Sequence, residues 1–167
     1  MFKNEFLKQV FANLAGTVIG GLIMSLSFFV WSDYVVKEPN LNGRWYFTII
    51  YEDVQLSKLK DLQVTYEVLL SQENLNIKGS GERIEEVQNG TKHQYIGEQR
   101  VPIEIEGTID FNYFANDTLN IRYNEFGKQR RSASFHKLIR FDDTRMEGTF
   151  DSTISDSSGR VLWSRKR

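Results

Sequence analysis

Cysteine is absent from the sequence, and histidine and proline are nearly so, with two of each in 167 residues. Without thiols there is no disulfide framework, no Cys-ligated zinc or iron–sulfur centre and no thiolate nucleophile. An excess of one charge is lacking too. The chain has 21 Lys+Arg against 22 Asp+Glu, a formal charge of −1, which excludes a generally basic binder of DNA or RNA. There is no internal repeat, no glycine-rich phosphate loop, no serine nucleophile elbow and no metal-ligand spacing. His93 and His136 fall on predicted strands and read as solvated side chains. Glu104 and Glu106 share the face opposite Ile103 and Ile105, the wet one, while Asp142, Asp143 and Asp156 read as turn formers. The sequons Asn89-Gly90-Thr91 and Asn116-Asp117-Thr118 carry information only in a eukaryotic secretory setting. The expectation is a protein without catalysis, metal or cofactor.

What is present divides the chain in two, residues 1–36 and 37–167. Val10 to Trp31 holds no charged residue. As a helix it is about 33 Å long, against a bilayer core of about 30 Å, with Trp31 and Tyr34 at its end as interfacial aromatics. The run is too long and too uniformly apolar for a signal peptide or an amphipathic core helix, which predicts an uncleaved transmembrane anchor. Ala12, Gly16 and Gly20 recur every four residues, as do Thr17, Gly21 and Ser25, and Asn13 adds a polar side chain. Small-xxx-small spacing lets two helix backbones approach, so Gly16 and Gly20 are the expected self-association face. The flanks, Lys3 and Lys8 against Glu5 on one side and Asp33, Lys37 and Glu38 on the other, lean toward a cytoplasmic N-terminus and an exported C-terminal domain.

From Leu41 the pattern changes to period two. Trp45, Phe47, Ile49 and Tyr51 alternate with Arg44, Tyr46, Thr48 and Ile50; Leu62 to Leu70 repeats the alternation. Further strands are predicted at Leu75–Arg83, His93–Val101, Ile103–Phe111, Leu119–Phe126, Arg131–Phe141, Met146–Ser155 and Val161–Arg165, separated by turn residues such as Asn89-Gly90, Asn116-Asp117 and Phe126-Gly127. Val54–Asp61 reads as irregular or briefly helical, and Pro102 as a strand edge or corner. Eight or nine short strands with no helix between them indicate an all-β, antiparallel up-and-down barrel of about eight strands. Closure removes both sheet edges, and the segments around Gly43-Arg44-Trp45 and Gly159–Trp163 are the pair placed to close it. A two-sheet sandwich is the alternative. Charge is lopsided, with 8 basic and 14 acidic residues over 37–119 but 11 and 6 over 120–167. The basic part includes Arg122, Lys128, Arg130, Arg131, Lys137, Arg140, Arg145, Arg160, Arg165, Lys166 and Arg167. It reads either as solvated charge or as later strands presenting arginine to an anion, whose phosphate suits the guanidinium fork.

An N-terminal membrane segment followed by a cysteine-free barrel, with Leu41-Asn42-Gly43-Arg44-Trp45 opening it and the run Met146 to Trp163 ending it, resembles the membrane-anchored β-barrel effectors of bacterial CBASS anti-phage defence. That family has two membrane helices, whereas the apolar run here has length for one. The resemblance implies a barrel on the cytoplasmic side of the inner membrane that binds a cyclic dinucleotide or related cyclic oligonucleotide made by a partner synthase. Ligand-bound protomers then form a homo-oligomer through the helix and breach the lipid bilayer. The ligand calls for arginine at phosphate, an aromatic face at the base and hydroxyls at the ribose. The expected ligand-binding residues are Tyr51, Tyr66, Tyr123, Arg131, Ser152, Thr153 and Trp163, although Ser152 and Thr153 point to opposite faces of one strand. Two other readings stand beside this one: a lipocalin-like barrel taking a lipophile outside the cytoplasm, and a tethered module with a filled barrel that binds only protein.

Overall fold

A computed structural model describes residues 2–32, 39–127, 131–154 and 156–165, with helix side chains from Lys8 onward. Lys3, Glu5, Asp33, Tyr34, Lys37, Glu38, Lys128, Arg130, Ser155, Lys166 and Arg167 lie outside the described side chains. The chain divides into two compact units, Met1–Glu38 and Pro39–Arg167.

The first unit is helix α1, Phe2–Val30. Its segment Lys8–Val30, 23 residues, is long and apolar enough to cross a membrane, and none of it is buried within the chain. Thr17 Oγ1 donates to the Asn13 carbonyl at 2.9 Å, so this hydroxyl is satisfied inside its own helix, as a lipid environment requires. Gly16, Gly20 and Gly21 have open space where a Cβ would stand.

The second unit is a closed barrel. Its strands are β1 Gly43–Asp53, β2 Gln63–Glu73, β3 Asn76–Gln88, β4 Thr91–Gln94, β5 Val101–Asp110, β6 Thr118–Phe126, β7 Arg131–Asp142, β8 Arg145–Ser152 and β9 Ser157–Ser164. Eight form the ring in the order β1, β2, β3, β5, β6, β7, β8, β9, every neighbouring pair antiparallel. The first and last strands close it, Phe47 opposite Trp163 and Ile49 opposite Val161. The short β4 pairs only with the far end of β3, through a turn in which Asn89 (φ 48°) and Gly90 (φ 76°) both take the left-handed backbone a tight hairpin needs. The strand expected over His93–Val101 is therefore this short β4 followed by a 3-10 turn at Gly97–Gln99. Pro102 is the second residue of β5, where the chain returns to the wall. The segment expected to be irregular holds a 3-10 turn, Ser57–Leu59.

The period-two pattern buries one face of each strand. Trp45, Phe47 and Ile49 of β1, Val64, Tyr66, Val68 and Leu70 of β2, and Ile103, Ile105 and Ile109 of β5 all point inward. Tight curvature needs small residues on the inside. A Cβ on Gly148 would lie 1.9 Å from the Lys137 carbonyl oxygen, and one on Gly81 would lie 2.2 Å from that of Glu67, so only glycine admits the neighbouring strand at either position.

The interior has two unlike halves. Toward the rim where the chain enters, Leu41, Trp45, Leu70, Ile77, Ile109, Leu119, Leu138, Met146 and Trp163 form an apolar plug. Trp45 caps it, its indole N–H donating to the Leu41 carbonyl at 2.9 Å and the Arg165 guanidinium lying over its ring. The opposite end is mixed: Ile49, Leu62, Val64, Phe150 and Val161 keep one side of it apolar, and polar side chains gather on the other.

Candidate functional site

On the polar side of that end, period two continues along β2, β3 and β6, but the inward residues are Tyr66, Arg83, Tyr123 and Glu125. A bulge at Ile84 in β3, facing the Thr65–Tyr66 step of β2, sets Tyr66 opposite Arg83, and pairing of β5 with β6 sets Glu125 opposite Ile103. Tyr66 Oη donates to Glu125 Oε2 at 2.6 Å, and the Arg83 guanidinium is ion-paired to the other carboxylate oxygen. Arg83 lies between two rings, its Cζ 5.9 Å from the centroid of Tyr66 and 5.7 Å from that of Tyr95, within cation–π range. Tyr95 reaches it from the β3–β4 excursion, held by its backbone N–H to the Ile84 carbonyl and by Oη donating to Glu86 Oε2 at 2.7 Å. Four buried serines on β7, β8 and β9 face the same space: Ser132, Ser134, Ser152 and Ser157. Ser134 and Ser152 bond to each other at 2.9 Å.

Burial governs the protonation of these groups. It pushes Tyr66 well above the ordinary phenol value, helped by Tyr123 and Glu125, and pushes Tyr123 up to about 12. Burial opposes the charge on Arg83, but Tyr66 and Glu125 outweigh it and raise its pKa. The site therefore holds one permanent cation, paired with Glu125 and with Glu86 at 3.8 Å, together with neutral phenols and several hydroxyls. Arg83 Nε is buried with no hydrogen-bond partner, so a donor of this guanidinium stands unused.

Deeper in, Phe47 stacks on Tyr66 at 4.6 Å and on Trp163 at 4.4 Å, filling the middle of the barrel. His136 sits in this stack, 2% exposed, with rings of Tyr123 at 5.1 Å and Phe47 at 5.3 Å. Its Nδ1 accepts from the Trp163 indole N–H at 3.2 Å, while Nε2 is buried without a partner. Burial drives its pKa down to about 3. It is a neutral core residue, and the expectation of a solvated histidine is wrong for it; His93 on β4 is exposed.

Of the sequence-selected residues, Tyr51, Tyr66, Tyr123, Ser152 and Trp163 are buried inside the barrel. Trp163 belongs to the apolar half. Arg131 does not face inward: it is exposed, with its guanidinium over Phe126 on the outer wall, because Ser132, paired with Glu125, takes the inward position. Thr153 is also exposed, exchanging hydrogen bonds with the Ala133 backbone at 3.1 Å in both directions. The inward arginine comes instead from the acidic half of the sequence, at the end of the alternation Ile77, Gly79, Gly81, Arg83. Asn116-Asp117 is more than a turn. Asp117 is 3% exposed and binds Arg140 through Oδ2, at 2.8 Å from Nε and 2.6 Å from Nη2. Among the described residues no group of three or more His, Asp or Glu is placed to hold a metal ion.

Clefts run along the outer wall, one of about 630 Å³ over Gly107 between Lys78, Arg122 and Phe135, another of about 660 Å³ over Gly81 between Arg44, Glu82 and Phe126.

No protein-family model and no curated protein matches the sequence. Among solved structures the chain is similar to a redesigned β-barrel, at 13% identity and a TM-score of 0.46, over 76% of this chain and 92% of that one.

Proposed function

We propose that this protein is a membrane-anchored sensor. Its barrel takes a cyclic nucleotide second messenger on this polar side, and its helix turns that binding into self-association and damage to the bacterial inner membrane. The observation that carries the reading is Arg83, a partly buried guanidinium set between the rings of Tyr66 and Tyr95 with its buried Nε donor unused. A phosphate accepts from such a fork in pairs, a base stacks on a tyrosine ring, and the buried serines offer hydroxyls for ribose. Glu125 holds the guanidinium while no ligand is bound. When phosphate replaces it, the carboxylate keeps a partner in Tyr66 Oη.

A lipophile is the weaker reading because the apolar half is occupied by the barrel's own rings, Phe47 between Tyr66 and Trp163. In this proposal nothing is catalysed, no cofactor or metal is needed, and the partners are a cyclic nucleotide synthase, other copies of the chain and lipid.

The test is thermal unfolding of the full chain in detergent against cyclic mono-, di- and trinucleotides. Ligand at about 100 times its dissociation constant stabilises by roughly 2.7 kcal/mol. One selective shift is expected, lost in Arg83→Met and enlarged in Glu125→Gln, which frees the guanidinium from its carboxylate. A folded protein that no nucleotide stabilises refutes the reading, and so does a shift that Arg83→Met leaves intact. Gly16→Leu with Gly20→Leu should abolish toxicity on expression with the synthase. A reporter fused after Arg167 should report the cytoplasm.

A further inference from the structure

The ends of a barrel differ in their loops, and here the difference among the described residues is one of exposed aromatic rings, since the opposite rim exposes the aliphatic Leu56 and Ile96 but no Phe, Tyr or Trp. Three connections ring the rim at which the chain enters at Pro39–Gly43: the β2–β3 turn, the β5–β6 loop and the β7–β8 turn. Each carries an exposed large apolar residue. Leu75 is 48% exposed, Phe114 80%, and Phe141, where β7 ends, 51%; Tyr113 beside Phe114 is 45% exposed. The wall and the opposite rim together expose a single aromatic among the described residues, Phe135.

The β5–β6 loop is built to hold its rings outward. Asn112 Oδ1 accepts from the backbone N–H groups of Phe114 at 3.0 Å and Ala115 at 3.2 Å. Asp117 Oδ1 accepts from Asn112 N at 2.9 Å. Asp117 is fixed in turn by Arg140, whose own backbone N–H donates to the Asp117 carbonyl at 2.9 Å. A buried ion pair thus braces a loop whose tip shows a phenyl ring to solvent, and burying that ring elsewhere recovers the apolar area left exposed.

We infer that this rim is a seat for the lipid–water interface, with Leu75, Phe114 and Phe141 set among the headgroups of the bilayer that α1 crosses. The inference rests on α1 being a membrane anchor, and the occupant follows from the order of the chain: Pro39, the first described residue of the barrel unit, is held at this rim by Gln72, and in the sequence the apolar helix comes just before it. Aromatic side chains favour the interfacial zone, where a ring is both desolvated and close to dipoles. Asp110, Asp142 and Asp143 lie at the same rim beside Arg140, Arg145 and Arg165, so the charge there is mixed and ring insertion, not attraction to anionic headgroups, holds the seat. Raising the salt concentration leaves it in place.

The lack of native cysteine makes the test direct. Single variants Leu22→Cys, Leu75→Cys, Phe114→Cys and Ile96→Cys of the full chain carry an environment-sensitive bimane in phosphatidylethanolamine–phosphatidylglycerol vesicles. Ile96, 73% exposed, marks the opposite rim. Lipids spin-labelled at the headgroup should quench most of the emission at positions 75 and 114 and leave position 96 bright. Acyl-chain labels should quench position 22. Quenching at 22 with positions 75 and 114 no more quenched than 96 overturns the seat while the anchor stands. No quenching at 22 overturns the anchor and the seat with it.

Discussion

His136 gives the sharpest test of how the barrel interior is packed. Its ring is 2% exposed among aromatic neighbours, and burial takes its pKa from 6.5 to about 3. The folded protein therefore stays unprotonated there over a range in which the unfolded chain binds a proton. Stability is unaffected above the unfolded value and falls as the pH drops through it, down to the folded value. Each pH unit well inside that range costs about 1.4 kcal/mol, and integration from pH 7.5 to 5.0 gives about 2 kcal/mol. For a unit of this size that lowers the midpoint by roughly 6–10 °C. Carboxylates titrate mainly below this interval. The assay is thermal unfolding of the full chain in detergent, followed by tryptophan fluorescence, which reads Trp163 beside the imidazole. His136→Gln keeps an acceptor for the indole N–H but cannot take up the proton, so its midpoint should change much less over the same interval. If wild type and His136→Gln show the same pH dependence, the buried neutral histidine is wrong.

Other perturbations follow from the same contacts. Gly148→Ala places a methyl 1.9 Å from a backbone carbonyl and should lose about 2 kcal/mol or more in urea unfolding, whereas Gly16→Ala, with open space around it, should leave barrel stability unchanged. Glu125→Ala removes the nearer counter-charge of Arg83, leaving it Glu86 at 3.8 Å, and should cost about 3 kcal/mol; adding Arg83→Met should recover most of that, a double-mutant cycle that fails if the two costs simply add. Asp117→Ala should cost about 3 kcal/mol by the same logic with Arg140, and amide exchange should speed up over residues 111–117 ahead of the rest of the barrel.

Much of this architecture was legible because closed barrels leave a strict record. Alternation along β1 and β2 gave the phase of the core, and the pairing of β1 with β9 followed from the need to remove edges. Five of the seven proposed ligand residues were placed inside for the same reason. Arginine was misplaced where alternation is ambiguous: β7 carries Phe135, Ile139 and Phe141 on its outer face and Ser134, His136 and Leu138 on its inner one, so apolarity does not reveal its phase, and Arg131 and His136 were each assigned to the wrong side. Arg83 escaped notice because it follows two inward glycines, which carry no hydrophobic signal, and because it lies in the acidic half. Asp117 looked like a turn residue, since its partner Arg140 is 23 residues away and sequence spacing does not announce a loop brace.

The pairing of the first strand with the last bears on how the protein is made. Phe47 emerges from the ribosome soon after the apolar helix, yet its neighbour Trp163 follows more than a hundred residues later. At 5–20 residues per second that is roughly 6–20 s. Throughout that interval β1 has β2 on one side and an open hydrogen-bonding edge on the other. Edge-to-edge pairing between neighbouring nascent chains competes with closure during this period, and β9 has to arrive before it does.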